Sequence, residues 1–377
     1  MLFRSRYFEF YGTAADKIHG EVIPFVNGHQ VSLIREPLGV TAHIIPWNYP
    51  AQMLGRTVAP ALAVGNATVL KPAEDTSLSA LRVAELALEA GLPPGVLNVV
   101  TGLGEEAGAA LAEHPDINFI SFTGSNEVGT LVQQAAAKNA VKCVLELGGK
   151  SPQIVFDDVD VERAVPIIVR AIVQNAGQTC TAGSRLLVQR SIFDSFVAKV
   201  AEAFSKVKVG TPEMDHECGP VMNPAQLARV NRYINQARDS GVPVLAEGTL
   251  APGVSASGYF VKPTFFGPVP RNHALACEEV FGPVLSAMPF EDEADAIALA
   301  NGTSYGLLAA VWTENAGRLQ RVAKSVQAGQ VFMNCYGAGG GVELPFGGTK
   351  RSGHGREKGL LALEELSSCK TLVHYHG

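Results

Sequence analysis

The 377-residue sequence predicts an α/β fold made of a parallel-sheet domain, a second α/β domain and a small β hairpin. Three observations carry this. From residue 38 to about 147, short β-rich runs alternate with amphipathic helical runs, the pattern of βαβ units around a sheet covered on both faces. A second α/β pattern fills about 149–350. Ahead of both, GEVIPFVNGHQVSLIREPLG places two strand-like runs around Asn27-Gly28, a strong hairpin signal.

Taken in order, residues 1–19 read as a helix with Phe3, Tyr7, Phe8 and Tyr11 near helical spacing, so its apolar face needs a partner. After the hairpin come the β-rich runs GVTAHIIP, ATVLKP, GVLNVVTG, FISFTG and KCVLELGG. SLSALRVAELALEAG and SNEVGTLVQQAAAK lie between them as helices. Parallel sheets of this kind hold ligands at the carboxyl ends of their strands. In the second domain SPQIVF, SRLLVQ, FGPVLSAMPF and LLAAVWT read as strands, IFDSFVAKVAEAFSKV and PAQLARVNRYINQARDSG as helices. GAGGG at 337–341 reads as a flexible loop, and SSCKTLVHYHG as one more short strand.

Composition narrows the function. The chain is 47% hydrophobic and 18% charged, an ordinary folded balance. A net charge of −6, with no Lys/Arg run longer than two, argues against nucleic acid as the main partner. No apolar run approaches the roughly 18–20 residues of a membrane span, and the N-terminus does not read as a signal peptide. The six cysteines are scattered, with no CxxC pair and no HExxH, so neither a disulfide framework nor a metal site is expected, and a reducing cytoplasm is the default setting. His216, Glu217 and Cys218 fit no metal template. Cys143, Cys277, Cys335 and Cys369 read as packing residues.

Four polar landmarks stand at strand ends or in loops: Asn48 in IPWNYP, Lys71 and Glu74 in LKPAED, Glu146 in LELGGKSP, and Cys180 in NAGQTC. Cys180 sits among small polar residues rather than apolar ones, as a displayed nucleophile does. Glu146 ends a strand and precedes two glycines. The Asn48 amide can donate to a developing oxyanion. Gly124 and Ser125, with Gly129 four residues on, follow a strand and open a helix, which suits a pyrophosphate at a helix N-terminus.

Together PWNYP (46–50), LKPAEDTSLSA (70–80), GLPPGVLNVVTG (91–102), FTGSNEVG (122–129), LELGGKSP (145–152), NAGQTC (175–180), EEVFGPV (278–284) and PFGGTKRSGHGREKG (345–359) resemble the aldehyde dehydrogenase superfamily, of the NAD(P)-dependent, non-acylating kind, from about residue 6 to 370. The resemblance implies an N-terminal helix and oligomerisation hairpin over 1–37 and a Rossmann-like NAD-binding domain over 38–148. It implies a catalytic domain over 149–351, a return to the cofactor domain at 352–366, and an oligomerisation strand at 367–377. It also implies a homodimer or homotetramer, an aldehyde substrate, and a chain that starts inside what is usually the second helix, leaving apolar surface uncovered.

Residue roles follow from the same resemblance. Cys180 is the nucleophile, Asn48 an oxyanion donor and Glu146 the base that activates the hydrolytic water. Lys71 and Glu74 hold the adenosine ribose, Trp47 the pyrophosphate, Glu279 the nicotinamide ribose and Phe281 the nicotinamide side. Because a carboxylate repels a 2′-phosphate, Glu74 favours NAD over NADP. Tyr49, Met53, Arg56, Thr179, Thr181 and Phe346 match positions that line the aldehyde tunnel. Arg56 resembles the arginine that pairs with a substrate carboxylate in semialdehyde dehydrogenases, though the second such arginine is replaced by Gln174. Otherwise Arg56 lies on an exposed or interface-facing helix. GHGREKG reads as a helix-start loop and GLPPGVLNVVTG as a turn and strand. Two competing functions are acyl transfer to coenzyme A, against which Glu146 argues, and a non-catalytic binding or structural role.

Overall fold

The N-terminal helix α1 (Leu2–Ala14) finds its partner within its own unit. Tyr7 and Tyr11, one turn apart, are buried against Ala59, Val342, Ala362 and Leu363, and the Tyr11 hydroxyl donates to the Gly359 carbonyl at 3.1 Å. Phe8 points away and is exposed. This computed structural model describes residues 2–337 and 341–377, with side chains from Ser5 onward, so most of the GAGGG loop lies outside the described residues. The chain divides into two compact units, Met1–Leu147 with Gly340–Gly347 and Gly353–Gly377, and Gly148–Gly339 with Gly348–Ser352.

In the first unit, β1 (Glu21–Ile23) and β2 (His29–Pro37) pair antiparallel. The hairpin differs from the expected tight turn: Pro24–Gly28 form a longer loop, closed by a His29 N–H to Val26 carbonyl bond and by Gly28 at φ 81°. The last strand, Ser367–Tyr375, is also longer than the sequence suggested, and pairs with all of β2 from Pro37↔Ser367 to His29↔Tyr375. Cys369 lies on this strand and is exposed, so it is not a packing residue; Cys143 is buried, whereas Cys277 and Cys335 are half-buried.

The main sheet of this unit contains β3 (Val40–Ile45), β4 (Ala67–Pro72), β5 (Leu97–Val99), β6 (Phe119–Thr123) and β7 (Lys142–Glu146). Its spatial order is Gly353–His354, β7, β6, β3, β4, β5, parallel throughout except for the first pair. Helices α2 (Pro50–Ala63), α3 (Leu78–Glu89), α4 (Ala109–Glu113) and α5 (Asn126–Ala137) connect the strands. Proline at its first position suits α2, where no intrahelical N–H is needed. Every residue of α2 from Met53 to Ala61 is buried, so this is a core helix.

Parallel strands share a carboxyl end. The registers Ile45↔Pro72, Ile44↔Phe122 and Thr123↔Glu146 therefore bring Trp47–Asn48, Lys71–Glu74, Gly124–Ser125 and Glu146 to one edge of the sheet.

The second unit holds a seven-stranded sheet in the order Val244–Glu247, Thr264–Phe266, Val284–Phe290, Arg185–Gln189, Pro152–Val155, Leu308–Trp312, Gln330–Met333. Only the first pair is antiparallel. Val244–Glu247, Thr264–Phe266 and Gln330–Met333 are short strands that the sequence patterning did not announce. Phe156, Phe290, Leu187, Phe265 and Trp312 fill the core, with Val161–Val173 and Phe193–Ser205 packed against it.

Candidate active site

In the first unit, Lys71 is 3% exposed at the end of β4, and its ammonium meets the largely exposed Glu74 carboxylate at 3.1 Å. Its own backbone N–H, with Lys71 beside it, holds the Glu74 carboxyl below the usual range. The pair thus offers a buried donor and an ionised acceptor side by side, which suits ribose hydroxyls. Ser125 caps α5 by accepting from the Val128 N–H at 3.2 Å. Gly129 lets α5 pack closely on the end of β7: a β-carbon there would stand 2.5 Å from Leu147 Cδ2, so the leucine side chain would have to move. A close-packed helix N-terminus, a lysine and an acid at one sheet edge fit a dinucleotide. Trp47, Asn48 and Tyr49 are half-buried at the same edge.

Glu146 is 2% exposed, and neither carboxylate oxygen accepts a hydrogen bond among the described residues. Burial pushes its pKa well above the ordinary glutamate range, with Arg56 opposing and Glu357 reinforcing the shift. Arg56 Nη2 stands 3.4 Å from Glu146 Oε2, an ion pair without hydrogen-bond geometry, while Nε pairs with Glu357 Oε2. Nη1 donates to Met53 Sδ at 3.7 Å, and the Phe346 ring centroid lies 4.2 Å from Cζ. Arg56 therefore does not lie on an exposed helix: it is 3% exposed, and two carboxylates of the protein already claim the guanidinium. Sequence reasoning missed Glu357 altogether, having read GHGREKG as a loop leading into a helix. The segment does precede helix Leu361–Glu365, but Glu357 is 6% exposed within it.

In the second unit, Cys180 is half-buried and follows a distorted turn. Asn175, Ala176 and Gly177 all have positive φ (51°, 53° and 71°), a run that non-glycine residues adopt only when their surroundings impose it. The surroundings are visible. A β-carbon on Gly177 would stand 2.2 Å from the Gly282 carbonyl, Gln178 and Asn175 exchange side-chain to carbonyl bonds at 3.0 and 3.2 Å, and the Met222 N–H donates to Gln178 Oε1 at 2.7 Å. Beyond the cysteine the Tyr336 hydroxyl donates to the Thr181 carbonyl. Thr179 and Thr181 flank Cys180 and are half-buried. Gln178 and Tyr336 were not picked out from the sequence; NAGQTC spells the former, yet glutamine in a loop carries no signal of its own.

The GGK segment supports the same loop. Gly149 lies under the Cys180 carbonyl, and its N–H donates to Glu279 Oε1 at 3.0 Å. Burial raises the Glu279 carboxyl to about 7 and draws the neighbouring Lys150 ammonium down to about 7. Phe281, two residues after Glu279, has φ 60°. Arg185, fully buried, donates to the carbonyls of Lys150, Leu299 and Ala300 at 2.8, 3.0 and 2.8 Å, which fixes the start of this segment.

Among the described residues no cluster of His, Cys, Asp and Glu could hold a metal ion, and no helix is long and apolar enough to cross a membrane.

Comparison with known proteins matches residues 4–372 to the aldehyde dehydrogenase family. An aldehyde dehydrogenase of Emericella nidulans is 47% identical over 369 residues, covering 97% of this chain and 73% of that protein. The crystal structure of PnpE in complex with nicotinamide adenine dinucleotide is 40% identical with a TM-score of 0.95, covering 99% of this chain and 77% of that one. The NAD-dependent aldehyde dehydrogenase of Sinorhizobium meliloti is 38% identical with a TM-score of 0.95, covering 100% and 74%.

Proposed function

The chain belongs to the aldehyde dehydrogenase family, and from that premise we propose that it oxidises an aldehyde to a carboxylate with NAD, through a thioester on Cys180. The Cys180 thiolate adds to the aldehyde carbon, giving a thiohemiacetal oxyanion. Its negative charge is met by the Asn48 amide and the Cys180 N–H; loss of one such donor costs about 10²–10³ in rate. Bound NAD supplies the hydride acceptor, and the thiohemiacetal becomes a thioester as hydride departs. Glu146 then takes a proton from water, the water oxygen adds to the thioester carbon, and the C–S bond breaks to return the thiolate. Aldehyde, NAD and water yield carboxylate, NADH and protons, so the steps balance.

The observation that carries this reading is Glu146: a buried carboxylate at a strand end, facing Arg56 Nη2 at 3.4 Å and with a pKa raised by burial. A general base at neutral pH needs a pKa drawn up toward that pH. Its presence also favours water over coenzyme A as acyl acceptor. Lys71, Glu74, Trp47, Ser125 and the glycines at 124 and 129 are assigned to the adenosine and pyrophosphate, and Glu279 and Phe281 to the nicotinamide end. Tyr49, Met53, Thr179, Thr181 and Phe346 are assigned to the aldehyde tunnel. Arg56 is assigned to the Glu146–Glu357 charge network rather than to a substrate carboxylate, because its guanidinium is already paired.

A cytoplasmic homo-oligomer is the accompanying proposal. The three-stranded sheet and its hairpin loop expose Val22, Phe25, Val26, Leu372, Val373 and Tyr375, an apolar surface that a second copy would cover.

The test mixes the protein with NAD and a panel of aldehydes, acidic semialdehydes included, and follows NADH. Cys180→Ala should abolish it. Glu146→Gln should give one burst of NADH followed by slow turnover; fast steady-state turnover in that variant would remove Glu146 as the base.

A further inference from the structure

Behind Glu146 runs an unbroken buried chain of polar side chains. Ser121 Oγ donates to Glu357 Oε1 at 2.8 Å, and Thr57 Oγ1 donates to Ser121 Oγ at 2.9 Å. Thr57 has then spent its only proton, so its 2.5 Å contact with His43 Nδ1 requires the N–H on that nitrogen. His43 Nε2 in turn accepts from Thr41 Oγ1 at 2.8 Å. Thr41, His43, Thr57, Ser121 and Glu357 are all buried, at 0, 0, 4, 4 and 6% exposure. Each proton in the chain points toward Glu357, whose carboxylate accepts the last of them. Glu357 holds Arg56 by its Nε, and the same guanidinium reaches Glu146 with Nη2.

We propose that Arg56 and Glu357, locked by the Ser121–Thr57–His43 chain, form a positioning and charge-setting pair that fixes the pH at which Glu146 becomes a base. This rests on the reading of Glu146 as the base of the hydrolytic step. The two members act in opposite senses. The Arg56 cation favours ionised Glu146; the Glu357 anion disfavours it and also draws part of the arginine's charge away. Among the described residues of this unit, the other elements around Glu146 bring a handful of titratable groups, Glu127 on α5 among them. Arg356 and Lys358 flank Glu357 in the same segment, His354 lies on the strand beside β7, and β6 contributes no charged residue. Arg356 and Glu365 share a cavity of about 10 Å³ with Arg56, Ser121 and Glu357, room for about one water molecule.

The experiment measures the acid limb of steady-state kcat with NAD and propanal in the full chain. In parallel, infrared difference spectroscopy reads protonation of the Glu146 carboxyl against pH, with Glu146→Gln as the blank. Arg56→Met should move the midpoint up, and Glu357→Gln should move it down, each on the order of one pH unit. The double variant leaves burial alone and should fall between them. Arg56→Lys keeps the cation and should stay near the wild type, and its folding serves as the control if Arg56→Met fails to fold. Both single variants moving the midpoint in one direction, or neither moving it, overturns the proposal. If Glu146→Gln turns over quickly, the base assignment fails, yet the infrared midpoints still decide whether Arg56 and Glu357 set the ionisation of Glu146.

Discussion

The carbonyl oxygen of Cys180 lies 2.3 Å from where a β-carbon on Gly149 would stand. Two motifs far apart in sequence are thus in direct contact, and the GGK glycine is required by the cysteine's backbone. No real β-carbon tolerates that distance, and Leu307 closes the other side at 3.3 Å. Gly149→Ala should therefore displace the Cys180 segment rather than unfold the sheet below it. A displacement of about 1 Å costs roughly 10²-fold in rate. The expected result is a loss of that order in kcat, with an altered rate of Cys180 alkylation by iodoacetamide, while far-ultraviolet circular dichroism stays native. Unchanged alkylation and turnover would show that the loop relaxes without cost.

Glu146 gives a stability prediction with a definite sign. Burial raises its folded-state pKa above the unfolded value of about 4.3. The folded state then binds the proton more tightly, so this contribution is fully present below pH 4.3 and is lost as pH rises through the folded pKa. Glu146→Gln cannot ionise. Its melting temperature should exceed the wild type's at pH 9, and the gap should close toward pH 5. A constant gap across that range would mean that the carboxyl is solvated, against its 2% exposure.

His43 predicts the opposite slope. Burial draws its pKa down to about 3, against about 6.5 in the unfolded chain. A depressed base favours the folded state above pH 6.5 and loses that advantage as pH falls toward 3. Urea unfolding should show stability falling over this window in the wild type, and less steeply in His43→Gln, which keeps a donor and an acceptor but takes up no proton. Parallel curves for the two proteins would place the acid sensitivity elsewhere.

Much of this architecture was legible because it is local. The runs GVTAHIIP, ATVLKP and FISFTG have the β-branched and aromatic content of buried parallel strands, and they fold as β3, β4 and β6. The end of β7 at Glu146 was readable from the two glycines that follow it. What stayed hidden depends on partners distant in sequence. Nothing local in GHGREKG shows that Glu357 turns inward to meet Arg56, 301 positions away, and nothing in VTAHII distinguishes His43 from a surface histidine until Thr57 is placed beside it. Short strands such as Gln330–Met333 exist only because a neighbour supplies the ladder. Cys369 failed for the same reason: its strand pairs with β2 but is exposed from Ser368 to Tyr375.

On the proposed function, cofactor choice follows from the contact between Lys71 and Glu74. Glu74 is half exposed at its side chain, whereas Lys71 is buried, so the acid is the partner that can be changed without disturbing the strand end. An ionised carboxylate accepts from ribose hydroxyls and repels a 2′-phosphate. Glu74→Gln keeps the shape, removes the charge, and leaves the Lys71 ammonium 3.1 Å away without its anion. That ammonium is then free to favour a phosphate. The ratio of kcat/KM for NAD to that for NADP should fall by roughly 10-fold or more, since losing one like-charge repulsion is worth at least about 1.4 kcal/mol at a partly desolvated site. The change should sit in KM for the cofactor, with kcat at saturation little altered, because Glu74 has no part in the chemistry at Cys180. An unchanged ratio would mean that discrimination lies with other groups around the ribose, and Lys71→Met would then identify whether the lysine is one of them.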